Sequence, residues 1–187
     1  MPNVTNPPMV IVAVAVVIAV LAIVWMYGQR HRRQRLRARF GSEYDRTVQA
    51  VGTTGRAEAV LAEREKRVSS YHIRPLTDEE RGRYSEAWRR VQARFVDDPA
   101  GAVTDGDLLV NEVMTARGYP MADFDRRAED LTVEHANVVN HYRAARAIAG
   151  RHSRHEATTE DLRQALVHYR ELFADLLGTS SAARRSA

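Results

Sequence analysis

Residues Met9 to Tyr27 form a run of nineteen residues with no charged side chain, no amide and no proline. A helix of that length rises about 28 Å, close to the roughly 30 Å hydrocarbon core of a bilayer. The valine content alone would favour a strand, but a lone strand leaves its backbone groups unsatisfied in lipid, whereas a helix does not. The run therefore predicts one transmembrane helix over residues 9–27.

A cleaved signal peptide is the alternative interpretation of an apolar run in this position. Signal peptides carry positive charge before the run and small residues at a cleavage site after it. Here residues 1–8 are uncharged and the sequence WMYGQRHRR follows the run. An uncleaved anchor is therefore favoured, with residues 1–8 as a short extracytoplasmic tail.

A basic juxtamembrane collar, residues 28–41, follows the apolar run directly. Its six arginines are Arg30, Arg32, Arg33, Arg35, Arg37 and Arg39. Because positive residues are retained on the cytoplasmic side, this bias predicts an outside amino terminus and a cytoplasmic remainder. The arginines are expected either to contact anionic headgroups, at up to about 1 kcal/mol each, or only to fix the orientation. Trp25 and Tyr27 are placed in an interfacial aromatic belt.

Small residues recur on one face of the predicted span. Ala15, Ala19 and Ala22 are spaced by four and three residues, which places them on one side of a helix. A strip of small residues lets two spans approach closely. These three positions are therefore a candidate homodimer face.

The net positive charge of the chain comes from the collar and from the two arginines after residue 178. The whole chain has a net charge of +4, whereas residues 40–178 carry a net charge of −4. An acidic domain disfavours nucleic acid as a partner, since the only basic block lies against the bilayer. The absence of cysteine excludes disulfides, thiol catalysis and cysteine-ligated metals.

The region from 42 to 71 is predicted to be a charged helical stalk. The sequence SEYD resembles a helix start, with Ser42 as the capping residue and Asp45 as its reciprocal partner. Between residues 56 and 70, large apolar side chains are limited to Val60, Leu61 and Val68. Such a pattern favours a solvated helix that packs little.

The region from 72 to 178 carries the apolar spacing of a helical domain. Its clearest stripe, preceded by a Thr77–Glu80 capping box, is Tyr84, Trp88, Val91 and Phe95. Further helices are predicted after Asp98–Pro99, around 124–131, over 138–150 and after Thr158. The expected fold is all-α, with one transmembrane helix followed by a compact bundle of about four to six helices and a disordered tail at 179–187.

Several motifs together resemble an uncharacterised bacterial family of small single-pass membrane proteins. They are RPLTDEERGRYSEAWRRVQARFVDDPAGAV, MTARGYP, EDLTVEH and TTEDLRQALVHYRELF, and the resemblance spans residues 36 to 177. It implies an anchored helical domain and brings no reaction, cofactor or catalytic residue.

Histidines and carboxylates gather in the second half of the domain, at Glu134, His135, His141, His152, His155 and Glu156. Imidazole and carboxylate can ligate a transition metal, but Arg151 and Arg154 are interleaved with them and oppose a cation. Asp105 and Asp107 likewise lack the ligand spacing of a calcium loop. We therefore expect no metal, cofactor or catalytic residue. The tripeptide HYR occurs twice, at 141–143 and 168–170.

The function expected from these features is that of a membrane-tethered helical interaction or adaptor module at the inner face of the bacterial cytoplasmic membrane. Its partners would be the bilayer, with its anionic headgroups, and a cytoplasmic or membrane protein. The alternative is a membrane-associated enzyme, which would need a deep pocket with perturbed titratable groups.

Overall fold

A computed structural model of the chain describes residues 7–120 and 123–179. The helices in these ranges are α1 (Pro7–Phe40), α2 (Ser42–Val51), α3 (Thr54–Ser69), α4 (Asp78–Arg94), α5 (Pro99–Ala116), α6 (Phe124–Glu134), α7 (Val139–His152) and α8 (Thr159–Leu176). No strand occurs in them, so the all-α prediction is confirmed there. The predicted extracytoplasmic tail, apart from residues 7 and 8, and the predicted disordered tail, apart from residue 179, lie outside the described residues.

The predicted count of four to six helices after the span is wrong. Seven helices follow α1 within the described residues. The difference arises in the region predicted to be a solvated stalk, where α2 and α3 form a packed hairpin. In α3 the buried residues are Ala57, Glu58, Leu61, Arg64 and Val68. The apolar stripe of α3 is narrow because buried charged side chains occupy the rest of the face that α3 turns toward the domain.

The larger hydrophobic core lies between α4, α5, α7 and α8, with α6 closing one end. Tyr84, Trp88 and Val91 are buried in it, as their spacing predicts, and Phe95 packs against it half-buried. The indole of Trp88 stacks on the ring of Phe173 at 4.9 Å between centroids. This core sets the relative positions of the long helices of the bundle.

A second apolar cluster joins the end of α1 to α2, α3 and α6. Its buried members are Leu36, Phe40, Tyr44, Leu61, Val68 and Val133. Two of them, Leu36 and Phe40, belong to the last turns of α1. The helix that carries the apolar run therefore ends inside the domain.

The sequence predicts four helix-capping residues within the described part of the chain. Three of these predictions are confirmed. Capping boxes form at Thr77–Glu80 and at Thr158–Asp161, and Asp98 caps the proline-started helix α5. The exception is Ser42, which is the first residue of α2, after Gly41, and makes no capping hydrogen bond. Ser42 is not the cap because α1 runs on to Phe40 and the chain turns at Gly41, whose φ is +50°.

The strap between α3 and α4 lies against the end of α5. The amide of Arg74 donates to the carbonyl of Arg117 at 2.9 Å. Gly118 has a φ of +96°, and a Cβ added there would lie 2.3 Å from the carbonyl oxygen of His72. Only glycine fits this position without displacement of the strap.

Candidate membrane-interface site

Within the residues that the structure describes, α1 is the one helix long and apolar enough to cross a membrane. The eighteen-residue apolar window found within Val14–Phe40 has no buried residue. The predicted dimer-face residues Ala15, Ala19 and Ala22 are exposed, as are Trp25 and Tyr27. The helix thus presents a bare apolar surface up to the collar.

Four of the six collar arginines pair with carboxylates of the protein. Arg33 pairs with Glu58 at 3.0 Å, Arg35 with Glu65 at 2.6 Å, Arg37 with Asp45 at 3.2 Å and Arg39 with Glu65 at 2.5 Å. Arg39 also donates to the carbonyl of Val133 in α6 at 3.2 Å. These arginines hold α1 against α2, α3 and α6, a role that the sequence did not indicate.

Arg30 and Arg32 differ from the other collar arginines. Both are exposed, and neither has a charged or hydrogen-bonding partner among the described residues. They are two positions apart, which places them about 200° apart around a helix. Of the predicted headgroup-binding arginines, these two have their full charge available to an outside anion.

A buried carboxylate links α2 to two other helices. Glu43, 3% exposed, accepts from Arg143 of α7 at 2.7 and 3.0 Å and from Arg64 of α3 at 3.1 Å. Burial by itself would raise the pKa of Glu43, but the hydrogen bonds and charges of Arg143 and Arg64 outweigh it, and the pKa is lowered. The carboxylate is therefore ionised and shared between two guanidinium groups.

A neighbouring network joins α3 and the strap to α6. Arg67 pairs with the buried carboxylate of Asp130 at 2.7 Å, and with Glu129 at 3.2 Å. The hydroxyl of Tyr71 donates to Asp130 at 3.0 Å. Burial and the Asp130 carboxylate raise the pKa of Tyr71, so this tyrosine stays a donor. Charged groups thus form much of the seam between the α2–α3 hairpin and the bundle.

A cavity of about 320 Å³ lies between α1 and the first turns of α3. Trp25, Met26, Gln29, Arg30 and Arg33 line it from α1, and Gly55 and Glu58 from α3. At its inner end the Glu58 carboxylate accepts from Arg33 and from the Tyr44 hydroxyl, both at 3.0 Å. The cavity is apolar on the side of the span and cationic on the side of the domain.

The histidines and carboxylates that gather in the second half of the sequence do not converge on one point. Among the described residues there is no group of three or more potential ligands placed to hold a metal ion. His135 lies 2.5 Å from Asp175 through Nδ1, and the Arg117 guanidinium is 2.9 Å from its Nε2. Arginine has only donors, so Nε2 accepts and Nδ1 carries the proton. With Nε2 occupied by Arg117, His135 has a structural role in joining the ends of α5, α6 and α8.

The two HYR tripeptides meet where α7 and α8 pack together. The Nδ1 atoms of His141 and His168 are 2.9 Å apart. The pKa of His168 is lowered by burial and by the neighbouring His141. The tyrosines that follow, Tyr142 and Tyr169, are buried and donate to Asn111 and Asp107 of α5 at 3.4 and 2.9 Å. The repeat therefore marks a polar seam between α5, α7 and α8.

An open groove runs between α4 and α5 on the face that α1 leaves uncovered. It consists of two adjoining depressions of about 330 and 650 Å³ that share Leu108 and Glu112. Leu108 is 55% exposed, although it lies in the middle of a helix with a largely buried inner face. The groove is a candidate contact surface that the sequence did not identify.

No protein-family model, curated protein or solved structure matches this chain. The site has therefore to be interpreted from its own geometry.

Proposed function

We propose that the chain is a single-pass membrane protein that holds a helical interaction domain in a fixed position at the inner face of the bacterial cytoplasmic membrane. The observation that carries this proposal is the continuity of α1, which runs from the apolar segment into the core of the domain without a break. Leu36 and Phe40 are buried in the second apolar cluster, and four arginines pair with α2 and α3. The arginine bias supports the cytoplasmic placement.

This arrangement favours an adaptor over a freely swinging tether. A tethered domain meets membrane-bound partners at raised local concentration, so each contact can be weak. A domain fixed to its span also presents one surface at a set height and angle. The groove between α4 and α5, with the exposed Leu108 and the charged Glu112, is the surface that we assign to a protein partner.

Site-specific photocrosslinking in bacterial cells tests the proposal. A photoreactive amino acid placed at Leu108 is expected to give a discrete adduct with a second protein. The matched control is the same probe at Lys66, an exposed residue of α3 outside the groove. A second control places the photoreactive amino acid at position 112 and adds Leu108→Asp. We expect this substitution to abolish the adduct. Identical crosslinking from 108 and 66 would count against an adaptor function.

A further inference from the structure

We propose that the cavity between α1 and α3 binds the headgroup of one anionic phospholipid, taken from the leaflet that faces the domain. This assignment rests on the membrane anchoring proposed above and adds to it a specific ligand class. The walls are one face of α1 and the start of α3, and the cavity, which is partly open to solvent, has a volume of about 320 Å³.

The order of side chains along α1 matches the order of groups along a phospholipid. Trp25 and Met26 lie at the end of the apolar run. Arg30 and Arg33 lie about 7 and 12 Å further along the helix axis at ~1.5 Å per residue. Aromatic side chains favour the boundary between hydrocarbon and headgroups, and guanidinium groups bind phosphate through paired hydrogen bonds. A phosphate beside Arg30 would therefore place the first acyl carbons beside Trp25.

The charges within the cavity favour an anion. The Glu58 carboxylate is already neutralised, because it accepts from Arg33 and from the Tyr44 hydroxyl, both at 3.0 Å. Arg30 has no partner among the described residues and lines the same cavity. The uncompensated charge is thus one cation, which selects a lipid with a net negative headgroup over a zwitterionic one.

The position of the cavity identifies a lipid, and not a soluble anion, as its occupant. Trp25 and Met26, the residues at the end of the apolar run, line it, and this is the level at which the proposed anchoring places the bilayer surface. Lipid phosphates are present there at high local concentration. A second collar arginine, Arg32, is equally exposed but lies outside the cavity. The chain therefore contains its own control for general surface charge.

Quenching of tryptophan fluorescence by brominated lipids tests the proposal with the full-length chain in vesicles. Phosphatidylglycerol and phosphatidylcholine are compared at equal mole fraction, with bromine on the acyl chains of one or the other. Trp25 is 69% exposed and reports on lipid, whereas Trp88, 7% exposed in the core, gives a constant background. We expect the anionic lipid to be enriched at Trp25 by about fivefold, the factor that one surface arginine supplies.

Two variants remove the site by different means. Arg30→Gln removes the cation, and Gly55→Phe places a ring at a residue that lines the cavity. A Cβ at position 55 meets nothing within 4 Å, and circular dichroism of the variant checks that the fold is retained. Both are expected to abolish the preference for phosphatidylglycerol, whereas Arg32→Gln retains it. Equal losses in Arg30→Gln and Arg32→Gln would assign the preference to general surface charge and overturn the proposal.

The remaining outcomes separate this proposal from the proposed function. Equal quenching by the two lipids in the unaltered chain overturns the headgroup site and leaves the membrane anchor in place. Absence of quenching by either lipid overturns both. Loss of the preference on addition of inorganic phosphate would show that the cavity takes a free anion, and would overturn the lipid assignment.

Discussion

At the scale of individual residues, Glu43 joins three helices through its one carboxylate. Arg64 and Arg143 both donate to it, and its side chain is almost fully buried. We expect Glu43→Gln to lower the free energy of unfolding by about 3 kcal/mol, because two guanidinium groups would be left facing a neutral amide. Denaturant titration in detergent, followed by circular dichroism, measures the change.

Asp45→Asn is the matched control for this substitution. Asp45 lies two residues away in the same helix, but its pair with Arg37 is exposed, with 61% and 65% of the two side chains accessible. Exposed pairs contribute about 0.2–1 kcal/mol. Equal losses from the two variants would contradict a special role for the buried network.

Gly118 is a second residue whose replacement should destabilise the fold. Its φ of +96° and the close approach of the His72 carbonyl both exclude a side chain. We expect Gly118→Ala to lower the free energy of unfolding by about 2 kcal/mol or more, since the backbone must shift as well as bear strain.

Gly55→Ala supplies the comparison for Gly118→Ala. Gly55 is helical and has open space around it. Alanine there is expected to raise stability by less than about 1 kcal/mol, because position 55 is the second residue of α3 and the full helix-propensity gain applies to helix interiors. A destabilised Gly55→Ala together with a neutral Gly118→Ala would contradict the geometry at both positions.

At the scale of helices, the His141–His168 pair makes the packing of α7 against α8 sensitive to pH. Burial and His141 lower the pKa of His168 below the usual 6.5. The unfolded chain then binds a proton at this residue more readily than the folded one, so stability falls as pH drops through ~6.5. We expect the unfolding temperature to fall between pH 7.5 and 5.5 by less in His168→Gln than in the unaltered chain.

The exposed His72 serves as the control, since His72→Gln is expected to leave this pH dependence unchanged. Glu171 partly offsets the lowering of the His168 pKa and is kept in both variants. A pH dependence that is the same in all three proteins would contradict the inference.

The last turns of α1 belong to the domain, and truncation tests this directly. A fragment that begins at Gly28 keeps Leu36, Phe40 and the four paired arginines, so we expect it to retain the stability of the full-length domain. A fragment that begins at Gly41 loses both apolar side chains, 3% and 0% exposed. Loss of the Phe40 side chain alone corresponds to about 3–5 kcal/mol. Thermal unfolding of the two fragments compares them, and equal stabilities would contradict the assignment.

The helices of the bundle and most of their caps could be predicted from the sequence, because spacing and capping are local. The Tyr84 stripe and the caps at Thr77, Asp98 and Thr158 are examples. The docking of α1 could not be predicted in this way. The collar is polar throughout except at Leu36, Ala38 and Phe40, and its partners Glu58 and Glu65 lie more than twenty residues away.

The candidate site could also be predicted only in part, because its local features can be found in the sequence and its distant contacts cannot. The arginines and Trp25 were identified from their position beside the apolar run. Four of these arginines pair with the protein and two remain free, and this division depends on which acids α2 and α3 bring near. A signal was present in α3, where Glu58, Leu61 and Val68 lie near one helix face, but an acidic residue in a charged helix is usually solvated.

At the scale of the whole molecule, the orientation across the bilayer can be tested because the chain has no cysteine. We expect Thr5→Cys to react with a membrane-impermeant maleimide in intact bacterial cells, since the arginine bias predicts an outside amino terminus. Ser70→Cys, exposed in the domain, should react only after the membrane is opened. The opposite labelling pattern would contradict the proposed topology.

The unbroken course of α1 has a consequence for the proposed anchoring in a bilayer. A helix that is longer than the local hydrocarbon thickness tilts, and one that is shorter draws the lipid inward. A flexible linker would absorb such adjustments, whereas here Phe40 and the paired arginines fix the helix to the domain. Changes in membrane thickness should therefore alter the inclination of the entire domain, and with it the reach of the groove between α4 and α5.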